Sequence, residues 1–540
     1  MKDFNTYLKE TGEVGYVQAI MSSIFYVSGL PSARLNELVI TENGLIGIVK
    51  AVLPELIEVM IFEGQTLSHN MKVIRTNEQF QVPVSDSFLG RVIDPFGVPQ
   101  DEKGAISEDK IVYREVDPPA PGILQRVRIA KPLKTGVMIV DLLVPIGRGQ
   151  RELVLGDQKT GKTTFALQTM VNQVRMGTLG VYVCVGKKKS DLKAVQGYLL
   201  ENKVLDKVVL VAATSSDPAP MVYLAPLAGL SIAEHFRDAG HEVLVIFDDL
   251  TTHAKFYREI SLLSRRPPGR QSYPGDIFHI HACLTERAGN IKIKDGREVS
   301  ISLLPLAETL EGDLSGYIQS NIMAMTDGHI FFDIAETKRG KHPSVSTTLS
   351  VSRVGNQTRT PMEREIADEL TQKLSEARKA EELGKFGVEL TEETMKSLKN
   401  AEKMEALFNQ ESNVIYEVDL QNIFLGLFLG GFWDRWSGAE IRGQKKLLYT
   451  AYNAGTFNSL RLKLKDCKDL AGLIDLVSKN LKILIFPQQV KVAAKKIPLP
   501  SSPQQVSGQA AQAVGGQQPA VQVQKTGDTQ QPAISTFNKQ

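Results

Sequence analysis

At 540 residues the chain is too long for a single hydrophobic core and predicts roughly two to four domains. Its 63 basic and 61 acidic residues nearly cancel, so the chain as a whole carries no electrostatic signature for nucleic acid or a membrane surface. Cys184, Cys283 and Cys467 are odd in number and far apart, which excludes a disulfide framework and a thiolate-only zinc site and predicts a reducing compartment with small core residues.

The chain opens on a short polar arm, residues 1–12, of mixed charge, which predicts neither a signal peptide nor an Arg-rich transit segment. Residues 13–80 alternate short β-rich runs (14–19, 38–41, 45–52, 57–62 and 71–76) with turn residues, and predict a small β-barrel domain that serves assembly. Residues 81–360 predict a nucleotide-binding domain. Turn-rich connectors at 90–97 and 118–122 come first, then strand-like and helix-like runs alternate, which signals a parallel sheet covered by helices. Residues 361–490 predict an α-helical bundle that starts on a Thr360 cap with Pro361 and Glu363 behind it. The most apolar run, residues 423–433, is about half the length that spans a bilayer and predicts a buried helix. The tail, residues 491–540, is rich in Gln, Pro, Ala, Gly and Ser and is expected to be disordered.

Within the central domain, Gly156-Asp157-Gln158-Lys159-Thr160-Gly161-Lys162-Thr163 fits the phosphate-loop pattern G-x-x-x-x-G-K-[ST]. A buried strand enters it, and a helix leaves it from Thr164 with its N-terminus facing the anion. Backbone N–H groups would surround phosphate oxygens, Lys162 would reach the terminal phosphates, and the Thr163 hydroxyl would bind Mg²⁺. Residues 243–249 (VLVIFDD) read as an apolar strand ending in carboxylates. Asp248 would hold the Mg²⁺ shell from the other side. The plainer reading, a cap for the next helix, fits less well downstream of a phosphate loop.

Residues 145–151 (PIGRGQR), the loop itself, SDPAP at 216–220, 261–276 (SLLSRRPPGRQSYPGD) and LSVSRVG at 349–355 together resemble the α subunit of F-type ATP synthase, from residue 12 to at least 410. The RRPPGR and LSVSRVG segments favour α over the catalytic β subunit. The resemblance implies a ring of three α and three β subunits around a rotating γ shaft, a peripheral stalk with a δ-type subunit, and an ion-translocating membrane sector reached through those partners. It places the chain peripherally on the cytoplasmic face of a bacterial-type inner membrane, or on the matrix or stroma side of an organelle. ATP or ADP with Mg²⁺ is the implied ligand, bound at residues 156–164, Lys187, Pro343 and Gln410. Arg353 is implied to be an arginine finger that reaches the neighbouring β site; a surface salt bridge is the plainer alternative.

Several positions depart from the family. Lys187 stands where β subunits carry the glutamate that orients the attacking water and α subunits usually carry Gln. An ammonium cannot accept a proton from water, and it repels a metal, so the chain's own site is expected to bind nucleotide without hydrolysing it. A solvated lysine run on a loop is the plainer reading, and it too leaves no base. Gln158 and Lys159 replace the usual Arg and Gln. Thr337 and His342 align with an aromatic and an Arg near the adenine, Ser412 with a second adenine-pocket Gln, and Gln271 with a Glu. The N-terminal arm, which docks the peripheral stalk in the family, is short. Two other readings compete: a hexameric Rho-like RNA translocase, which needs a basic, aromatic surface that residues 13–80 lack, and a non-enzymatic assembly protein with a structural nucleotide.

Overall fold

The computed structural model describes residues 3–62, 67–107, 110–385 and 392–486. The tail expected at 491–540 lies outside the described residues. Six strands, Val14–Met21, Ile24–Ser28, Glu37–Thr41, Ile46–Val52, Leu56–Ile61 and Lys72–Gln79, close into a barrel in the order first, second, fifth, fourth, third, sixth. Inward residues such as Val17, Phe25, Val39, Val59 and Val73 fill it, and closure leaves no exposed edge. Five of these strands match the expected runs. Ile24–Ser28 does not, because its short apolar run sits directly after a two-residue turn in which Ser22 has φ 54°.

The arm carries a helix, Phe4–Thr11. Asp3 caps it by accepting from the Thr6 N–H at 3.2 Å, and Gly12 ends it at φ 66°. Tyr7 is fully buried against Ile40 and Ile74, and its hydroxyl donates to Glu78 at 2.9 Å.

The central sheet runs Val351–Ser352, Gly328–Phe332, Glu152–Gly156, Glu298–Glu308, Val243–Asp248, Leu179–Lys187, Val208–Thr214, Val92–Ile93, with Gly289–Lys292 paired antiparallel beside Glu298–Glu308. Every other pairing is parallel except that of Val351–Ser352. The inner strands, such as Glu152–Gly156, Val208–Thr214 and Val243–Asp248, are buried on both faces, which explains their near-continuous apolar runs. Alternate residues sort into two cores. Val154, Tyr182, Leu210, Leu244 and Ile246 pack with Phe165 and Met170 of the helix Lys162–Arg175. Leu153, Val181, Val209, Val243 and Val245 pack with Ala225 and Leu230 of Ala219–Asp238 and with Ala254 of Leu250–Leu263.

Beyond the sheet, helices Pro361–Lys385, Glu392–Phe408, Val418–Leu429, Gly438–Asn453, Asn458–Leu464, Leu470–Lys479 and Leu481–Leu484 follow one another. The cap read from the sequence is reciprocal: the Glu363 N–H donates to the Thr360 hydroxyl at 3.2 Å, and the Thr360 N–H donates to the Glu363 carboxylate at 2.9 Å. The apolar run at 423–433 is buried, but its helix stops at Leu429. Gly431, at φ 74°, turns the chain so that Trp433 folds back to 6.5 Å from the Phe424 ring. Among the described residues no helix is long and apolar enough to cross a membrane. The three cysteines are free thiols.

The chain's two tryptophans, Trp433 and Trp436, both lie in this helical region, so their emission reports on it alone. Phe424→Ala removes a ring buried at its centre and is expected to destabilise the region by about 3–5 kcal/mol. An unshifted midpoint of tryptophan emission in a denaturant titration would count against this packing.

Candidate functional site

The strand Glu152–Gly156 lies between two parallel neighbours, so its loop emerges at the carboxyl edge of the sheet. A Cβ at Gly156 would sit 2.5 Å from the Phe332 carbonyl oxygen, which leaves room only for glycine. Gly161, at φ 101°, turns the chain into the helix Lys162–Arg175. The loop is braced by its own side chains. Asp157 accepts from the Thr309 hydroxyl at 2.5 Å and the Gly312 N–H at 3.0 Å, the Thr160 hydroxyl donates to the Asp157 carbonyl at 2.8 Å, and the Ser344 hydroxyl donates to the Thr160 carbonyl at 2.9 Å. The Lys162 ammonium donates to the Gly156 and Asp157 carbonyls at 2.7 and 2.8 Å. Burial lowers its pKa, against the pull of Glu308, Asp249 and Asp248. Gln158 and Lys159 are exposed, and the Gln158 amide donates to Glu308 at 3.2 Å.

The strand Val243–Asp248 brings its carboxylates to the same edge. Asp248 Oδ2 accepts from the Thr163 hydroxyl at 3.0 Å and the Tyr182 hydroxyl at 2.8 Å, while Oδ1 lies 2.9 Å from the Lys187 ammonium. Asp249 Oδ2 is 2.7 Å from the same ammonium, and its Oδ1 caps the helix Leu250–Leu263 by accepting from the Thr252 N–H at 2.6 Å. Burial alone would lower the Lys187 pKa, but Asp249 and Asp248 outweigh it and raise it above the ordinary lysine value. Asp249 is thus the helix cap, and Asp248 faces Thr163 across the site. The donor types of Thr163 and Asp248 suit Mg²⁺, but the charge does not. Each positive charge about 4 Å from an ammonium meets about 4 kcal/mol of repulsion at an effective dielectric of 20.

Behind the loop a cavity of about 650 Å³ is lined by Lys159, Thr160, Thr164, Thr337, His342, Pro343, Gln410 and Ser412 among others. It therefore joins the phosphate loop to the positions aligned with the adenine pocket. The Gln410 amide is committed to the framework. It donates to the Gly136 and Val414 carbonyls at 2.7 and 2.8 Å, and its oxygen accepts from the Met138 N–H at 3.1 Å. The aromatic surface in this cavity comes from Phe165 and Phe332, whose rings lie 5.6 Å apart. Lys445, which sequence reasoning passed over, fixes the wall that leads to Gln410. Its buried ammonium donates to the Ala406 carbonyl at 3.2 Å, to that of Leu407, and to that of Asn409 at 2.8 Å.

Arg353 follows the short edge strand Val351–Ser352. The register pairs Ser352 with Gly328 and Gly328 with Glu152, the start of the phosphate-loop strand. Arg353 therefore stands at the amino edge of the sheet, about 13 Å of strand from the loop. It is exposed, and among the described residues its guanidinium makes no hydrogen bond or ion pair within the chain. Tyr182, Asp249 and Glu308 are the site residues that motif reading missed. Only Asp249 had a local signal, as the second acid after an apolar strand.

Comparison with known proteins agrees with this geometry. The model of the ATP synthase alpha/beta family, nucleotide-binding domain, matches residues 136–352. ATP synthase subunit alpha of Neorickettsia sennetsu is 37% identical over 488 residues, covering 88% of this chain and 94% of that protein. Its namesake from Dictyoglomus thermophilum is 37% identical over 462 residues, covering 85% and 90%. The one from Caldanaerobacter subterraneus subsp. tengcongensis is 35% identical over 500 residues, covering 92% and 96%.

Replacing Lys162 by Met removes a charge-assisted donor and is expected to weaken ATP binding about tenfold or more, read by calorimetric titration. Undiminished affinity would remove Lys162 from the site. On the phosphate-loop geometry and the match to subunit alpha along most of its length, this chain belongs to the ATP synthase alpha/beta family, among the alpha subunits.

Proposed function

We propose that the chain holds ATP or ADP at its own phosphate loop without turning it over, and lends Arg353 to the active site of a neighbouring β subunit. The observation that carries this reading is the state of the carboxylates. A general base needs a free lone pair facing the attacking water. Asp248 and Asp249 instead hold the Lys187 ammonium between them and also accept from Thr163, Tyr182 and Thr252, so both are turned to partners within the chain and away from a water. Arg353 is in the opposite condition. It is exposed, unpaired among the described residues, and at the edge of the sheet away from its own loop, so the phosphate it serves belongs to another subunit.

The same reading supplies the partners: β subunits alternating with this chain in a ring, a central γ shaft, a peripheral stalk with a δ-type subunit, and a membrane ion-translocating sector that makes the assembly membrane-peripheral. Bound nucleotide at Lys162, Thr163 and Thr164 would bias the ring's conformational cycle only as far as the ring's states bind it differently. The Mg²⁺ role assigned to Thr163 and Asp248 is limited by Lys187, which already sits on the Asp248 carboxylate.

Arg353→Ala in the reconstituted complex is expected to lower ATP turnover by roughly 10³ to 10⁵, the range for arginine fingers. Unchanged turnover would sink the assignment. The chain without a β partner should bind ATP yet release no phosphate, and appreciable hydrolysis by it would contradict the non-catalytic reading.

A further inference from the structure

We propose that the Lys187 ammonium is a resident replacement for the divalent cation at this site, so that ATP or ADP binds here with little dependence on Mg²⁺. The inference rests on the nucleotide-site reading above and adds to it the source of charge compensation.

The backbone is built to bring Lys187 to this place. Strand Leu179–Lys187 runs in register with Val208–Thr214 up to Val185, and the register then slips before Lys187. The residue consumed by the slip is Gly186, at φ 63°. A Cβ there would lie 2.6 Å from the Phe256 ring and 2.8 Å from the Thr252 methyl group, so glycine alone permits the bulge at this packing distance. The bulge changes the phase of the strand by one residue. Lys187 then faces the end of the adjacent strand, where Asp248 and Asp249 lie.

Its contacts are those of a structural cation. Nζ is 2.9 Å from Asp248 Oδ1 and 2.7 Å from Asp249 Oδ2. The remaining oxygen of each carboxylate is also engaged, by Thr163 and Tyr182 on Asp248 and by the Thr252 N–H on Asp249. An incoming Mg²⁺, which needs near-octahedral oxygen ligation and is dehydrated reluctantly, would have to displace an ammonium that the chain holds in place. An ammonium has three donors. Lys187 uses two on the aspartates, and Lys162 uses two on the Gly156 and Asp157 carbonyls, so each retains one N–H for a phosphate oxygen. The two lysines also offset the two aspartates before any ion arrives, and Glu308, which acts on Lys162 as well, is the acid beyond these four. A neutral side chain at position 187 would leave the aspartates short of one positive charge and would favour a divalent ion there.

The test is calorimetric titration of the full chain with ATP, once in excess Mg²⁺ and once in EDTA. The wild-type dissociation constant is expected to change by less than about threefold between the two, and Lys187→Arg, which keeps the charge, should behave alike. Lys187→Gln is expected to bind at least about tenfold more weakly in EDTA than in Mg²⁺. If wild type loses tenfold or more in EDTA, the proposal is overturned while the nucleotide site stands. If wild type binds ATP under neither condition, the nucleotide-site reading falls and the proposal with it. Should the Gln variant not fold, as judged by its circular dichroism, the wild-type and Arg titrations still decide the matter.

Discussion

Parallel pairing within the central sheet is the constraint from which the site follows. A strand buried on both faces can satisfy its backbone N–H and C=O groups only through its neighbours, and parallel neighbours need a crossover helix between them. Strands Glu152–Gly156, Val243–Asp248 and Leu179–Lys187 consequently end at one edge, although long stretches of chain separate them. The phosphate loop, the paired aspartates and Lys187 meet there without any of them being adjacent in sequence. The same register carries Arg353 to the other edge. One sheet thus separates a site that faces its own chain from a cation that faces outward.

At the inner edge the charges are coupled. Asp249 has a side-chain exposure of 1%, Asp248 of 8% and Lys187 of 23%, so solvent screens them poorly. Removing one member of such a cluster leaves its partner's charge without compensation, which costs more than the pair itself contributes. The lysine and the aspartates therefore behave as one unit, and the identity of residue 187 sets how the aspartates present themselves to a ligand. Tyr182 and Thr163 complete the unit by holding the remaining oxygen of Asp248.

Much of this was legible in the amino-acid sequence, for physical reasons that differ by element. The phosphate loop is a local backbone motif, so its residues alone define it, and the Thr360 cap is local in the same way. The barrel was legible through β-rich runs between turns, except for Ile24–Ser28, which is joined to the preceding strand too tightly to show as a separate run. The helix Phe4–Thr11 escaped because its residues are mostly polar and its stability comes from Tyr7 packing on the barrel. Lys187 was visible as an anomaly, but its partners were not. They depend on strand order and on a bulge at Gly186, and neither is encoded in local spacing. Gln410 was legible as a position and not as an orientation, since what its amide bonds to depends on the fold around Gly136.

Lys445 carries a consequence of another kind. It ties the end of the helix Glu392–Phe408 to the wall of the cavity behind the phosphate loop, and among the described residues no carboxylate is one of its hydrogen-bond partners. Burial, aided by the charge of Arg442, pushes its pKa down to about 7. In the unfolded chain a lysine titrates near 10.4. Between those values the unfolded chain binds the extra proton, so the cost of burying the charge is fully felt below pH 7 and is relieved as the pH rises. The helical region and the cavity wall it braces are thereby linked to proton activity through one side chain that does not itself line the cavity.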